Sequence, residues 1–151
     1  MTARSYKRIA EQLSSHEGIR KFAYRCPSGK LTIGIGRNID SDGGLGLSED
    51  EILYLLTNDL KRTEEELDNA FRFYKNLDPV RQDAMINMAF NLGITRLRGF
   101  RMALKLMETK EYDEASMEFL DSLWASQVGQ RALDIAHMIK YGEYPDADGQ
   151  R

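Results

Sequence analysis

Apolar residues recur along this chain with two different periods, and the change of period divides it. Tyr6, Ile9, Ala10 and Leu13 stand at i, i+3, i+4 and i+7, which predicts an amphipathic helix over about residues 4–16. Gly18 offers its stop, because a left-handed C-terminal cap is cheapest for glycine. Glu17 then falls in or beside the last helical turn. From Phe22 to Ile39 the pattern changes to short β-type runs, broken by Pro27-Ser28-Gly29 and by Gly34 and Gly36. A small β-ribbon is predicted there, with Thr32 on the return strand. Ser41-Asp42-Gly43-Gly44-Leu45-Gly46 reads as a loop.

Ser48-Glu49-Asp50-Glu51 has the form of a capping box, in which Ser48 and Glu51 each satisfy an orphan amide. Behind it Leu53, Leu56, Leu60, Leu67, Phe71 and Tyr74 keep a helical stripe to about Tyr74. A helix of about 25 residues would be roughly 38 Å long at 1.5 Å per residue. Its middle, KRTEEELD, is too charged to be buried on all sides, so the helix reads as a bridge between two lobes. Asp78-Pro79 supplies an N-cap and a proline at the first helical position. Val80, Ala84, Met85, Met88, Ala89 and Leu92 then mark a buried helix ending near Gly93. Three further helices follow from the same spacing: one through Phe100, Ala103, Leu104 and Met107, one through Tyr112, Ala115, Phe119 and Leu123, and one through Ala132, Ile135, Ala136 and Ile139. The tail after Tyr144 is polar and expected to fray.

The expected architecture is therefore α+β and mainly helical. A small mixed α/β lobe (about 14–55) is joined by a long helix (about 48–74) to an all-helical lobe (about 75–145). A groove between two lobes suits an extended polymer.

Composition narrows the partners. The chain has 151 residues, enough for one domain or two small lobes, and its net charge of −3 carries no footprint for nucleic acid. One cysteine excludes an internal disulfide. The start, MTARSYKRIAEQL, is amphipathic but lacks the apolar run of a signal peptide, and no segment approaches a membrane-spanning length. His16 and His137 are too few and too far apart for a metal set, and GIG is too short for a phosphate or dinucleotide loop, so neither metal nor cofactor is expected.

The chemistry concentrates between Glu17 and Gly36, in EGIRKFAYRCPSGKLTIGIG. Glu17 is the candidate general acid. The negative end of a helix and partial burial both disfavour its carboxylate, which suits a group that must donate a proton to a leaving glycosidic oxygen. Eight residues separate Glu17 from Cys26, and five separate Cys26 from Thr32. The ribbon can fold both back beside Glu17, the arrangement in which one acid and one activated water cut a glycosidic bond. A thiol at its unperturbed value is only slightly ionised at neutral pH, and Arg25 next door is a candidate to lower it.

This spacing, with the TIGIG that follows, resembles the signature of phage-type lysozymes, glycoside hydrolase family 24, in which an aspartate or a cysteine stands at the position of Cys26. The resemblance covers nearly the whole chain and implies the same order of parts, with helix 4–16 packing on the helical lobe. Compared with longer members, the small lobe looks trimmed between Asp40 and Ser48. The resemblance implies that Thr32 holds the attacking water, that Cys26 serves where relatives use aspartate, and that Arg131, in WASQVGQR, reaches Glu17. It further implies substrate contacts from Phe90 and Asn91. Asn38 and Glu118 fill two further groove positions with residue types that depart from the better-known pattern, and Asn38 is counted with the substrate-binding candidates.

The activity so implied is that of a muramidase. It would hydrolyse the β-1,4 bond between N-acetylmuramic acid and N-acetylglucosamine of peptidoglycan, with inversion, for phage-induced lysis. A monomer with no nucleic-acid partner and no stable membrane association is expected. It would wait in the host cytoplasm until a holin-like pore admits it to the wall. The alternatives are a lytic transglycosylase, against which Cys26 and Thr32 argue, and a wall-binding phage module without catalysis, against which an intact Glu17 argues.

Overall fold

A computed structural model describes residues 3–146. The chain is a mainly helical α+β protein with a three-stranded antiparallel sheet near its N-terminus. It divides into two compact units, Met1–Leu55 and Leu56–Arg151.

The first unit opens with α1 (Lys7–Glu17), so the helix starts three residues later than the periodicity predicts. Gly18 ends it with φ 77° and ψ 162°, outside the left-handed helical well but still open only to glycine, and its N–H bonds to Ser14 O at 2.9 Å. No residue of α1 is buried, and its stripe of Ile9 and Leu13 is exposed. Strands β1 (Arg20–Arg25), β2 (Leu31–Gly34) and β3 (Arg37–Asn38) follow. β1 and β2 pair through Arg20 with Gly34, Tyr24 with Thr32 and Arg25 with Leu31, with a register shift between Arg20 and Tyr24. Thr32 also pairs with Asn38 in β3.

Among the described residues of this unit Thr32 alone is buried, at 4% exposure. The unit has no apolar interior, and polar contacts hold its parts. Arg37 reaches Glu51 through two hydrogen bonds of 2.8 and 2.5 Å, the paired geometry that suits a guanidinium. Glu51 also accepts the Ser48 N–H at 2.8 Å and returns its own N–H to Ser48 Oγ at 3.3 Å, the capping box expected from the sequence. The Arg37 hydrogen bonds first, and then those of Ser48, pull the Glu51 carboxyl down from 4.5 to about 2.

A carboxyl whose folded value is depressed stabilises the fold above its unfolded value and loses that contribution as pH falls through the folded one. Amide protection in β3 and in the first turn of the following helix is therefore expected to fall between about pH 4.5 and 2. In Glu51→Gln that acid transition should disappear and protection should already be reduced at neutral pH. Hydrogen exchange followed by NMR measures both, and an unchanged acid transition in the variant would contradict the assignment.

Helix α2 (Glu49–Ala70) begins in the first unit and ends in the second. It stops four residues before Tyr74, because the chain tightens through a 3₁₀ turn, Tyr74–Asn76. That turn buries the Tyr74 ring and lets its hydroxyl donate to Glu64 at 2.7 Å. α3 (Pro79–Leu92) starts as predicted, with the Asp78 carboxylate accepting the Arg81 N–H, and Gly93 closes it at φ 82°. Then come α4 (Ile94–Leu97), α5 (Arg101–Glu108), α6 (Tyr112–Leu120), α7 (Leu123–Val128) and α8 (Gln130–Tyr141). The sequence stripe from Tyr112 to Leu123 is thus two helices. Ser122 interrupts it, its hydroxyl accepting the Ala125 N–H at 3.1 Å as the N-cap of α7, and Leu123 is exposed. The short α4 was not expected.

Among the described residues the hydrophobic core lies in this second unit, around Leu67, Met85, Met88, Leu97, Met107, Phe119, Ile135 and Ile139. Each such side chain, fully buried, is worth about 1.5–3 kcal/mol. Arg81 fastens its edges. The guanidinium donates to Ile139 O at 2.6 Å and Lys140 O at 3.1 Å, pairs with Asp78 at 3.0 Å and lies 3.7 Å over the Tyr112 ring. A cation on the last carbonyls of α8 also opposes the negative end of that helix. Among the described residues no helix is long and apolar enough to cross a membrane. Most of the tail, from residue 147 onward, lies outside the described residues.

Candidate active site

Glu17 is the last residue of α1, and the Gly18 turn leads at once into β1. Its side chain is exposed and rests on the link between β2 and β3. A Cβ built on Gly36 would come to 3.4 Å from Cγ, Cδ and Oε2 of Glu17, and Gly36 itself has φ +74°. The positive φ favours glycine there, and the Glu17 carboxyl lies at van der Waals contact with it.

Glu17 precedes strand β1 and Cys26 follows it, with the irregular register between Arg20 and Tyr24 in between. The predicted turn at Pro27-Ser28-Gly29 is present, closed by Gly29 N–H to Cys26 O at 2.8 Å and Cys26 N–H to Lys30 O at 3.0 Å. The Cys26 sulfur is 3.1 Å from the Ser28 hydroxyl. That bond first, then one from the Lys30 backbone, with a smaller one from Thr32, lowers the thiol from 9.0 to about 7, against some opposition from burial. Near neutral pH the group is therefore divided between thiol and thiolate. Arg25, proposed from sequence to do this, is engaged elsewhere, donating to Gly29 O at 3.0 Å and lying 3.6 Å from Asp40.

Thr32, buried in the middle of the sheet, donates its hydroxyl proton to Lys30 O at 2.8 Å. A hydroxyl has one proton and two lone pairs, so this leaves Thr32 able to accept a hydrogen from a water. A water held by one of its hydrogens keeps a lone pair for attack.

Asn38 is committed to the frame. Its Oδ1 accepts the Asp40 N–H at 3.0 Å, while its backbone carbonyl accepts the Leu45 N–H at 2.8 Å. Asp40 Oδ1 in turn accepts the Asp42 N–H and Oδ2 the Leu31 N–H, both at 2.9 Å. These bonds hold the Asp40 carboxyl below the usual carboxylate range, the Leu31 amide being the largest cause. Lys30 adds an ion pair with Asp42 at 2.9 Å. Sequence reading placed Asn38 at the end of the β-type runs and only Ser41 to Gly46 in a loop. The available signal was the spacing of Asn38, Asp40 and Asp42, in which each side chain can cap the backbone two residues on.

In the second unit Phe90 and Arg131 line one cavity of about 540 Å³, together with Leu60, Ile86, Asn87 and Tyr144. The Tyr144 hydroxyl donates to Asp83, and that bond raises it to about 12. Asn91 has a partner inside the helical unit. Its Oδ1 accepts the indole N–H of buried Trp124 at 2.8 Å, so half of its amide already serves to orient Trp124. Glu118 is exposed on α6.

A family model described as phage lysozyme matches residues 14–136, a span that includes Glu17, Cys26, Thr32 and Arg131. The chain belongs to the phage lysozyme family. A probable T4-type lysozyme of Dictyostelium discoideum is 29% identical over 89% of this chain and 94% of its own length. The endolysin of Acyrthosiphon pisum secondary endosymbiont phage 1 is 26% identical over 79% of this chain and 80% of its own. The pre-baseplate central spike protein Gp5 of Enterobacteria phage T4 is 26% identical over 89% of this chain but only 28% of its own length. Membership of the phage lysozyme family makes the chain a glycoside hydrolase of the lysozyme type, acting on peptidoglycan.

Proposed function

We propose that this lysozyme cuts the β-1,4 bond between N-acetylmuramic acid and N-acetylglucosamine with inversion, using Glu17 as general acid and a water held by Thr32 and Cys26. One observation carries the reading: a single three-stranded sheet holds the Glu17 carboxyl against Gly36, Cys26 at its β1–β2 turn and, in its central strand, Thr32, whose hydroxyl donates to Lys30 O. Inverting enzymes must leave room for a water, and paired carboxyl groups in such sites stand roughly 6.5–9.5 Å apart. In the reaction Glu17 donates its proton to the leaving oxygen as the glycosidic bond stretches. Positive charge grows on the sugar, and the water attacks from the face opposite Glu17. Its departing proton passes toward Thr32 and Cys26. A thiolate at Cys26 takes the electrostatic part that aspartate plays in relatives. Arg131 has a supporting role, and Phe90 and Asn91 contact the glycan.

The chain acts as a monomer. It reaches the wall from the host cytoplasm through a holin-like pore. A lytic transglycosylase needs no water and would have no use for Thr32 as a water holder. Mass analysis of fragments released from purified peptidoglycan tests the choice. Hydrolysis gives reducing muramic acid ends, and predominantly 1,6-anhydro ends would sink the proposal.

A further inference from the structure

The carboxylate of Asp40 has no part in that reaction, yet it accepts two backbone hydrogen bonds beside the site. Its place becomes informative when its bonds are followed through one peptide group. Asp40 Oδ2 accepts the Leu31 N–H at 2.9 Å. The carbonyl of the same peptide, Lys30 O, accepts the Cys26 N–H at 3.0 Å and the Thr32 hydroxyl at 2.8 Å. One peptide plane therefore has Asp40 on its donor side and both water-handling residues on its acceptor side.

We propose that Asp40 is a positioning residue, which acts through the Lys30–Leu31 peptide to fix where the Thr32 hydroxyl sends its proton and hence which way its lone pairs face the attacking water. The proposal rests on the roles given to Thr32 and Cys26 above. A charged acceptor on the N–H polarises the amide and strengthens its carbonyl as an acceptor. The Thr32 proton has a competing acceptor in the Cys26 sulfur. A stronger Lys30 carbonyl draws it away from that sulfur and keeps the lone pairs open. The carboxylate also stands in for a ladder partner: Ile39 N–H bonds to Leu31 O at 2.9 Å, and Asp40 supplies the acceptor that the Leu31 N–H then needs. The charged groups facing Asp40 are Arg25 from β1, Lys30 just before β2 and Asp42 from its own loop. The two cations favour its ionised form.

A double-mutant cycle separates this role from a structural one. Asp40→Asn should lower kcat about tenfold with KM within about twofold of the parent, whereas in a Thr32→Ala background the same change should cost less than about twofold, since the two residues act through one peptide. Equal fold losses in both backgrounds would overturn the proposal, because a merely structural defect multiplies. Thr32→Ala with full activity would overturn the water-holding role itself and Asp40's with it. Should Asp40→Asn not fold, the wild-type protein answers by NMR. The Leu31 and Cys26 amide protons should shift together as Asp40 titrates, with a midpoint below the usual range for aspartate. A Cys26 amide that stays still while that of Leu31 moves would break the proposed relay.

Discussion

Glu17→Gln is expected to lower turnover on peptidoglycan by at least about 100-fold, the low end for removing a general acid. The amide has nearly the shape of the carboxyl, so its contact with Gly36 survives. It has no acidic proton to give the leaving oxygen, and the sugar alkoxide is then a poor leaving group. Because Glu17 is exposed at a helix end, the change should move stability by no more than about 0.5 kcal/mol. Thermal melting and circular dichroism should match the parent, so lost activity can be assigned to lost chemistry. Near-normal turnover in a correctly folded variant would remove Glu17 from the mechanism.

The second large effect is expected at Gly44, which touches no candidate catalytic atom. A Cβ there would fall 2.3 Å from Asp40 O, 2.5 Å from Asn38 Oδ1 and 2.6 Å from Asp40 N. All three atoms belong to the tight loop in which Gly44 N–H bonds to Asp40 O at 2.9 Å. Two of them are backbone, so no flexible side chain can swing aside, and even alanine must break the Asn38–Asp40 turn. Gly44→Ala should therefore abolish activity and strip amide protection from β2 and β3. Helices α3 and α8, whose core lies in the other unit, should keep theirs. Exchange measured residue by residue checks this, and full protection of β2 in the variant would show that the loop can yield.

The success of the sequence reading follows the range of the interaction involved. The Glu17 turn, the Pro27-Ser28-Gly29 hairpin, the Ser48 capping box and the Asp78 cap are all local, and each was readable because its partners lie within a few residues. The errors came where a stripe outlived its helix. Phe71 and Tyr74 stay in phase with α2 although the chain has turned away, because the Tyr74 ring folds back to Glu64. Leu123 continues the phase of α6 by coincidence, and Ser122 was the readable sign that a new helix begins. The contacts of Asp40 with Leu31, and of Arg81 with Ile139, join residues 9 and 58 positions apart. Hydrophobic period says nothing about such pairs. Asn38 and Asn91 show the same limit from the other side. Residue type and place marked them as substrate contacts, while much of their hydrogen-bonding capacity is spent on the loop at Asp40 and on Trp124.

The uneven placing of apolar side chains has a calorimetric consequence. Unfolding raises heat capacity by about 0.45 cal/K/mol for each Å² of apolar surface exposed and lowers it by about 0.26 for each Å² of polar surface. Nearly all of the rise should come from the helical unit, whose interior holds the buried Leu, Met, Ile and Phe residues. The sheet unit, with a threonine as its one buried described residue, should contribute close to nothing. Its stability curve should then be nearly straight with temperature where that of the helical unit is a dome. On cooling, the sheet unit should hold its grip while the hydrophobic core weakens.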